Sequence, residues 1–160
     1  MNMTDLSKKC LNKLKENNKT IAFAESCTGG LVAKLLTDHS GASDVFECGV
    51  VCYSGRIKNV LLRVFEETLK QFGEVSAETA KEMAEGIKEV SGADIGVGIT
   101  GIAGPTGGTP LKPVGLIFVG ISSNGITQVY RLEYFDLRLS RTDRRERTAE
   151  FVYEKVLELI

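Results

Sequence analysis

A chain of 160 residues with 42% apolar and 26% charged side chains can bury one proper core, is too short for two comfortable ones, and is too apolar for a disordered class. Twenty basic residues against twenty-one acidic ones leave a net charge of −1, which excludes a global field for nucleic acid or an anionic membrane. No apolar run approaches the roughly 20 residues of a bilayer span, no signal-peptide pattern opens the chain, and four cysteines with one histidine lack zinc-ligand spacing, so a single cytoplasmic domain over 1–160 with free thiols is expected.

In chain order, Thr4 to Asn17 carries Leu6, Cys10, Leu11 and Leu14 at helical spacing, and a polar break precedes a β-branched apolar run, Thr20 to Phe23. That strand feeds through Ala24-Glu25-Ser26-Cys27-Thr28-Gly29-Gly30 into a helix carrying Leu31, Val32, Leu35 and Leu36. His39 falls in a polar turn, where exposure is expected. A second strand is predicted over Val45 to Ser54, and the run Gly49 to Tyr53 reads as an interior strand. Ser76 caps a helix bearing Ala80, Met83, Ala84, Ile87 and Val90, with Gly92 as its stop. Asp94 to Ile99 is the next strand, followed by a glycine-rich segment from Thr100 to Pro110. Val114 to Ile121 and Ile126 to Phe135 form two more strands joined by the hairpin signal Asn124-Gly125. A helix from about Asp143 to Leu159 closes the chain. Helices alternating with strands and a terminal hairpin predict a three-layer α/β/α sandwich with a mixed, mostly parallel sheet.

Three strand ends combine a hydroxyl with glycine: Glu25 to Gly30, Tyr53 to Lys58, and Gly98 to Pro105. In open α/β sheets ligands bind outside the carboxyl ends of strands, so these three ends are expected to form one pocket. With no histidine near them, a Ser-His-Asp triad is nearly excluded, whereas a serine can be deprotonated by a lysine kept neutral by burial. Ser26 and Lys58 are the candidates, Tyr53 can share the same cleft, and backbone N–H groups around Cys27 to Gly30 can receive a developing oxyanion. The residues alone leave open that Ser26 is an N-cap, Tyr53 a core or rim aromatic, Lys58 a solvated surface lysine, and Cys27 the nucleophile or a small buried filler. Thr100, Thr106 and Thr109 offer hydroxyls from the glycine-rich segment. Arg141 and Arg145, four apart on one helical face, can grip a phosphate or pair with acids such as Asp143 and Glu146.

Taken together, Ala24 to Gly30, Tyr53-Ser54 with Lys58, Val75 to Ala80, Thr100 to Gly108 and Lys112-Pro113-Val114-Gly115 resemble the CinA C-terminal domain family, the nicotinamide-nucleotide amidases, over nearly the whole chain. The resemblance implies a three-layer α/β/α fold and hydrolysis of nicotinamide mononucleotide to nicotinate mononucleotide and ammonia, with no metal or other cofactor. It implies Ser26 as nucleophile, Lys58 as base and Tyr53 as an assisting hydroxyl. Thr28, Gly29, Gly30, Thr100, Gly101, Gly104, Arg141 and Arg145 are the expected substrate contacts. The likeness is to the stand-alone amidases rather than to members with a large N-terminal domain. A small-molecule substrate and a homo-oligomer are the expected partners, with no nucleic acid and no membrane.

Two positions depart from the family pattern. Gly55-Arg56 follows Tyr53-Ser54 where asparagine and an acidic or small residue are usual, and Leu139-Ser140 precedes Arg141 where Gly-Asp is common. The first sets an extra cation near Lys58, expected to lower its pKa or alter substrate preference; the second loses an acid. These departures keep another reading open, a non-catalytic nucleotide-sensing or partner-binding module of the same fold.

Overall fold

The computed structural model describes residues 2–160. Its elements run α1 (Met3–Glu16), β1 (Ile21–Glu25), α2 (Leu31–Thr37), a 3-10 turn (Ala42–Asp44), β2 (Phe46–Val51), α3 (Gly55–Leu62), α4 (Glu66–Phe72), α5 (Ala77–Ser91), β3 (Ile95–Gly101), β4 (Leu116–Ser123), β5 (Ile126–Glu133) and α6 (Arg141–Leu159). The sheet has the order β2-β1-β3-β4-β5. β1 pairs in parallel with β2 and β3, and the β3–β4 and β4–β5 pairings are antiparallel, so β4 alone runs against the other four strands. The sheet is the expected mixed one.

Helices α1, α2 and α6 pack together on one face, and α3 and α4 pack with α5 on the other, which gives the three layers. β1, β3 and β4 are buried almost throughout because they are central and covered on both sides. On the first face Phe23, Leu11, Leu14, Leu36, Val152 and Tyr153 form the main core. On the second, α5 comes so close that a Cβ at Gly98 would lie 2.5 Å from the Ala84 amide nitrogen, and one at Gly120 2.5 Å from the Ala80 carbonyl oxygen. Glycine at these positions lets the helix lie on the strands.

Three expectations are corrected. β2 is an edge strand, not an interior one: it has a single neighbour, its residues alternate between half-buried and exposed, and Val51 is 52% exposed. Apolar composition did not distinguish an edge that leans on α2 and α5 from a covered strand. The last helix begins at Arg141, two residues earlier than its apolar face suggests, because Ser140 and Asp143 form a reciprocal capping box. His39 is half-buried and bonded through Nε2 to Ser7 Oγ at 2.8 Å.

Candidate active site

Because β1, β2 and β3 are parallel, their carboxyl ends lie at one edge of the sheet, and the three glycine-and-hydroxyl segments do meet there. They line a cavity of about 220 Å³, walled by Ser26 and Cys27 after β1, Tyr53 and Lys58 around the start of α3, Thr100 to Gly104 after β3, Glu74, and Arg141 at the start of α6.

At its centre Lys58 Nζ lies 3.1 Å from Ser26 Oγ. The lysine is 1% exposed and Nζ also donates to the Cys52 carbonyl at 2.8 Å, so the amine is fixed from two sides. α3 explains the burial: Ser54 caps its first turn by accepting from the Ile57 amide, and one turn later Lys58 points inward under β2. Burial pushes the Lys58 pKa below the ordinary 10.5; the nearby thiols of Cys52 and Cys27 and the Glu74 carboxylate act in the opposite direction but are outweighed. The solvated reading of Lys58 is thereby excluded. Arg56 is exposed and absent from the groups acting on Lys58, so the expected influence of that extra cation on the base is not found.

Ser26 is not an N-cap. The N-cap position of α2 is Gly30, in the left-handed region at φ 94°, with no side-chain cap. The orphan amides are instead satisfied by the buried Glu25 carboxylate, which accepts from Gly30 at 3.0 Å, Val32 at 3.2 Å and Ala33 at 2.8 Å. The protein's own carboxylate thus fills the helix start and takes the Gly30 amide out of the expected oxyanion donors. Gly29 donates to the Ser26 carbonyl, which removes its amide as well. Among the described residues, the amides of Cys27 and Thr28 have no hydrogen-bond partner, and of these two residues Cys27 lines the cavity, so the expected oxyanion donors contract to the Cys27 amide. Cys27 itself is buried and its thiol is pushed up to about 12, which leaves it protonated near neutrality.

The expected substrate contacts divide. Thr100, Gly101, Gly104 and Arg141 line the cavity; Thr28, Gly29, Gly30 and Arg145 do not. Arg145 reaches the Thr28 carbonyl through Nε at 3.2 Å and Nη2 at 2.7 Å and braces the turn after β1. Thr28 Oγ1 is buried without a partner among the described residues. Thr100 donates to the Glu74 carbonyl at 2.7 Å, tying β3 to the loop before α5. Arg141 donates to the Gly104 carbonyl at 2.8 Å and to the Tyr53 hydroxyl at 2.7 Å. Two of its five N–H donors are so used, and three remain for an anion. Tyr53, 57% exposed, therefore serves the rim and Arg141; its hydroxyl makes no hydrogen bond to Ser26 or Lys58. Thr106 reaches the cavity, whereas the Thr109 hydroxyl accepts from the Lys112 amide outside it.

Sequence reasoning missed three contributors. Glu25 was detectable in principle, since a helix opening on Gly-Gly has no side-chain cap and needs an acceptor from elsewhere. Arg144 is buried and donates to the Tyr134, Ala103 and Asp136 carbonyls, holding the glycine-rich loop. Its signal was its place on the inward stripe Arg144–Thr148–Val152 of α6. Glu74 had no local signal. Among the described residues no three His, Cys, Asp or Glu side chains cluster as metal ligands, and no helix is long and apolar enough to cross a membrane.

The CinA C-terminal domain model matches residues 3–160. The chain belongs to the CinA C-terminal domain family. A CinA-like protein of Kosmotoga olearia is 50% identical over 146 residues, covering 91% of this chain and 35% of that protein. A CinA-like protein of Thermotoga neapolitana is 50% identical over 121 residues, covering 76% and 30%. The chain thus spans about a third of the length of the curated relatives it matches. Among solved structures, the competence/damage inducible protein CihA of Agrobacterium tumefaciens superposes with a TM-score of 0.94 at 37% identity, covering 98% of this chain and 94% of that one. A CinA superfamily protein of Klebsiella pneumoniae gives 0.93 at 28% identity, covering 99% and 97%. As in its CinA relatives, the fold is α/β. The Leu139-Ser140 departure leaves the helix start intact, since Ser140 caps it and Asp143 supplies the acid one turn on.

Proposed function

We propose that this CinA domain is an amidohydrolase that converts nicotinamide mononucleotide to nicotinate mononucleotide and ammonia. The observation that carries the reading is the buried Ser26–Lys58 pair, 3.1 Å apart on the wall of a cavity that also presents Arg141. Family membership supports the same chemistry through the amidase activity the resemblance implies.

Burial favours the neutral amine, which accepts the Ser26 hydroxyl proton as Oγ attacks the carboxamide carbon. The Cys27 amide, unbonded and on the cavity wall, is the donor available to the resulting oxyanion. Collapse breaks the C–N bond, and the proton on Lys58 passes to the departing nitrogen, which leaves as ammonia. A water then gives its proton to Lys58 and its oxygen to the acyl carbon, freeing the carboxylate product and restoring Ser26. In this reading Arg141, anchored to Gly104 and Tyr53, holds the phosphate so that the carboxamide stays at the serine.

Ammonia release from nicotinamide mononucleotide, measured without added metal by a coupled assay, is expected from wild type and at least about 10³-fold slower from Ser26→Ala. Undiminished turnover by Ser26→Ala would sink the serine mechanism. Tight nucleotide binding without ammonia release by a well-folded wild type would instead support the binding module.

A further inference from the structure

Glu74 is the one acidic residue among those lining the cavity; it is exposed and also lines the neighbouring surface groove with Gly55, Arg56 and Lys70. Its Oε1 accepts from the Gly55 amide at 2.7 Å, and its other oxygen has no hydrogen bond or ion pair among the described residues. A Cβ at Gly55 would stand 2.7 Å from Glu74 Oε1 and 3.4 Å from its Cδ, so a side chain there would push this carboxylate aside. Position 55 is one of the two where this chain leaves the family pattern, so the departure makes room for an acid on the pocket wall. Apart from the buried Lys58, the charged residues of the lining are Arg141, positive, and Glu74, negative. A pocket that served only a phosphorylated neutral amide would gain nothing from that carboxylate, which lowers the affinity for an anion. A ligand that carries both a cationic ring and an anionic phosphate matches both groups.

We infer that Glu74 is a specificity-determining residue that selects amides carried on a permanently cationic, N-substituted pyridinium ring over their uncharged counterparts. The inference rests on the amidase reading above and names the charge that its substrate must bear. Glu74 faces the ring charge, Arg141 faces the phosphate on the ribose side, and Ser26 meets the carboxamide on the ring's other side. The alternative, that Glu74 only caps α3, is separable because glutamine keeps an oxygen for the Gly55 amide and removes only the charge.

The test uses two probes of nearly one shape: nicotinamide mononucleotide and its 1,4-dihydro form, whose ring is uncharged. Calorimetric binding to the Ser26→Ala protein avoids turnover. The oxidised form is expected to bind about fivefold tighter than the reduced form. Adding Glu74→Gln should bring that ratio close to one by weakening the oxidised form, with the reduced form little changed. Gly55→Ala, which displaces the carboxylate without removing it, should lower the ratio in the same direction. An indirect effect through Lys58 runs the other way, since loss of Glu74 further favours the neutral amine and so favours a cation. A ratio that survives Glu74→Gln, or a ratio of one in the parent while wild type still releases ammonia, overturns the inference alone. No ammonia release from wild type and no binding of either form overturns the amidase reading and the inference with it.

Discussion

The junctions after β1 and after β2 are built alike and do opposite things. Each runs from a strand end through a hydroxyl into a helix, and each has a carboxylate on the helix N-terminus. After β1 the acid is local and buried: Glu25 takes three amides and leaves Ser26 on the cavity wall. After β2 the cap is shared between Ser54 and the distant Glu74, and the helix spends its inward position on a lysine. By residue type the β1 junction is an anion site, yet in the fold it is a filled, rigid support for a nucleophile. By residue type the β2 junction is solvated surface, yet in the fold it buries the base. A helix N-terminus is thus informative only once its own acceptors are counted.

The largest expected effect breaks the β2 junction. Lys58→Ala should slow ammonia release about 10³-fold, within the range for loss of a general base. In wild type the rate should climb with pH through an apparent pKa below 10.5, because burial lowers the folded-state value. The same shift has a stability signature. Between the lowered folded value and the unfolded one the unfolded chain binds more protons, so stability rises with pH in that window and the penalty of burying the charge is fully present below it. Lys58→Met should therefore gain most, relative to wild type, at low pH and lose that relative gain as pH rises; a gap in melting temperature independent of pH would contradict a buried, perturbed lysine.

Breaking the β1 junction should cost stability. Glu25→Ala leaves three amides without their acceptor and is expected to destabilise by about 3 kcal/mol, a drop in melting temperature on the order of 10 °C. Glu25→Gln, which keeps an acceptor but not the charge, should lose roughly half as much. Equal melting temperatures for wild type and Glu25→Ala would show that water replaces the cap without loss.

These two junctions also explain what was legible in the sequence. Periodicity and turn signals located β1, β3, β4, β5 and α5 to within a few residues, because those elements are long or fully buried and their patterns are strong. The wall residues Ser26, Lys58 and Thr100 came from chemistry at strand ends plus the family likeness, and the parallel β2-β1-β3 arrangement gathers them. Arg145 and Gly30 lie off the cavity wall because a backbone carbonyl and a neighbouring acid take their donors, and that competition is invisible without coordinates. Glu74 could not be found at all: it reaches Gly55 across 19 residues of chain, and nothing local marks the contact.

The arginines on α6 separate the junctions further. Arg141 bridges the glycine-rich loop and Tyr53 with donors to spare, so Arg141→Ala should raise KM for nicotinamide mononucleotide about tenfold or more. Arg145 is committed to the Thr28 carbonyl, so Arg145→Ala should lower stability by about 1 kcal/mol and leave KM within about twofold. A matching rise in KM for both variants would mean that the phosphate draws Arg145 away from the turn.

The smallest expected effect lies beside the nucleophile. Cys27 shares the cavity wall with Ser26, yet burial pushes its thiol up to about 12 and keeps it protonated near neutrality. Cys27→Ala removes one sulfur from a buried site and should retain ammonia release to within about threefold, with a stability loss of about 1 kcal/mol. Alkylation of the native protein by iodoacetamide at neutral pH should accordingly be slow at Cys27 compared with the half-exposed Cys48. Fast labelling of Cys27 with parallel loss of activity would require the turn to open and expose the thiol. That outcome would also show that Glu25 does not hold the β1 junction rigid.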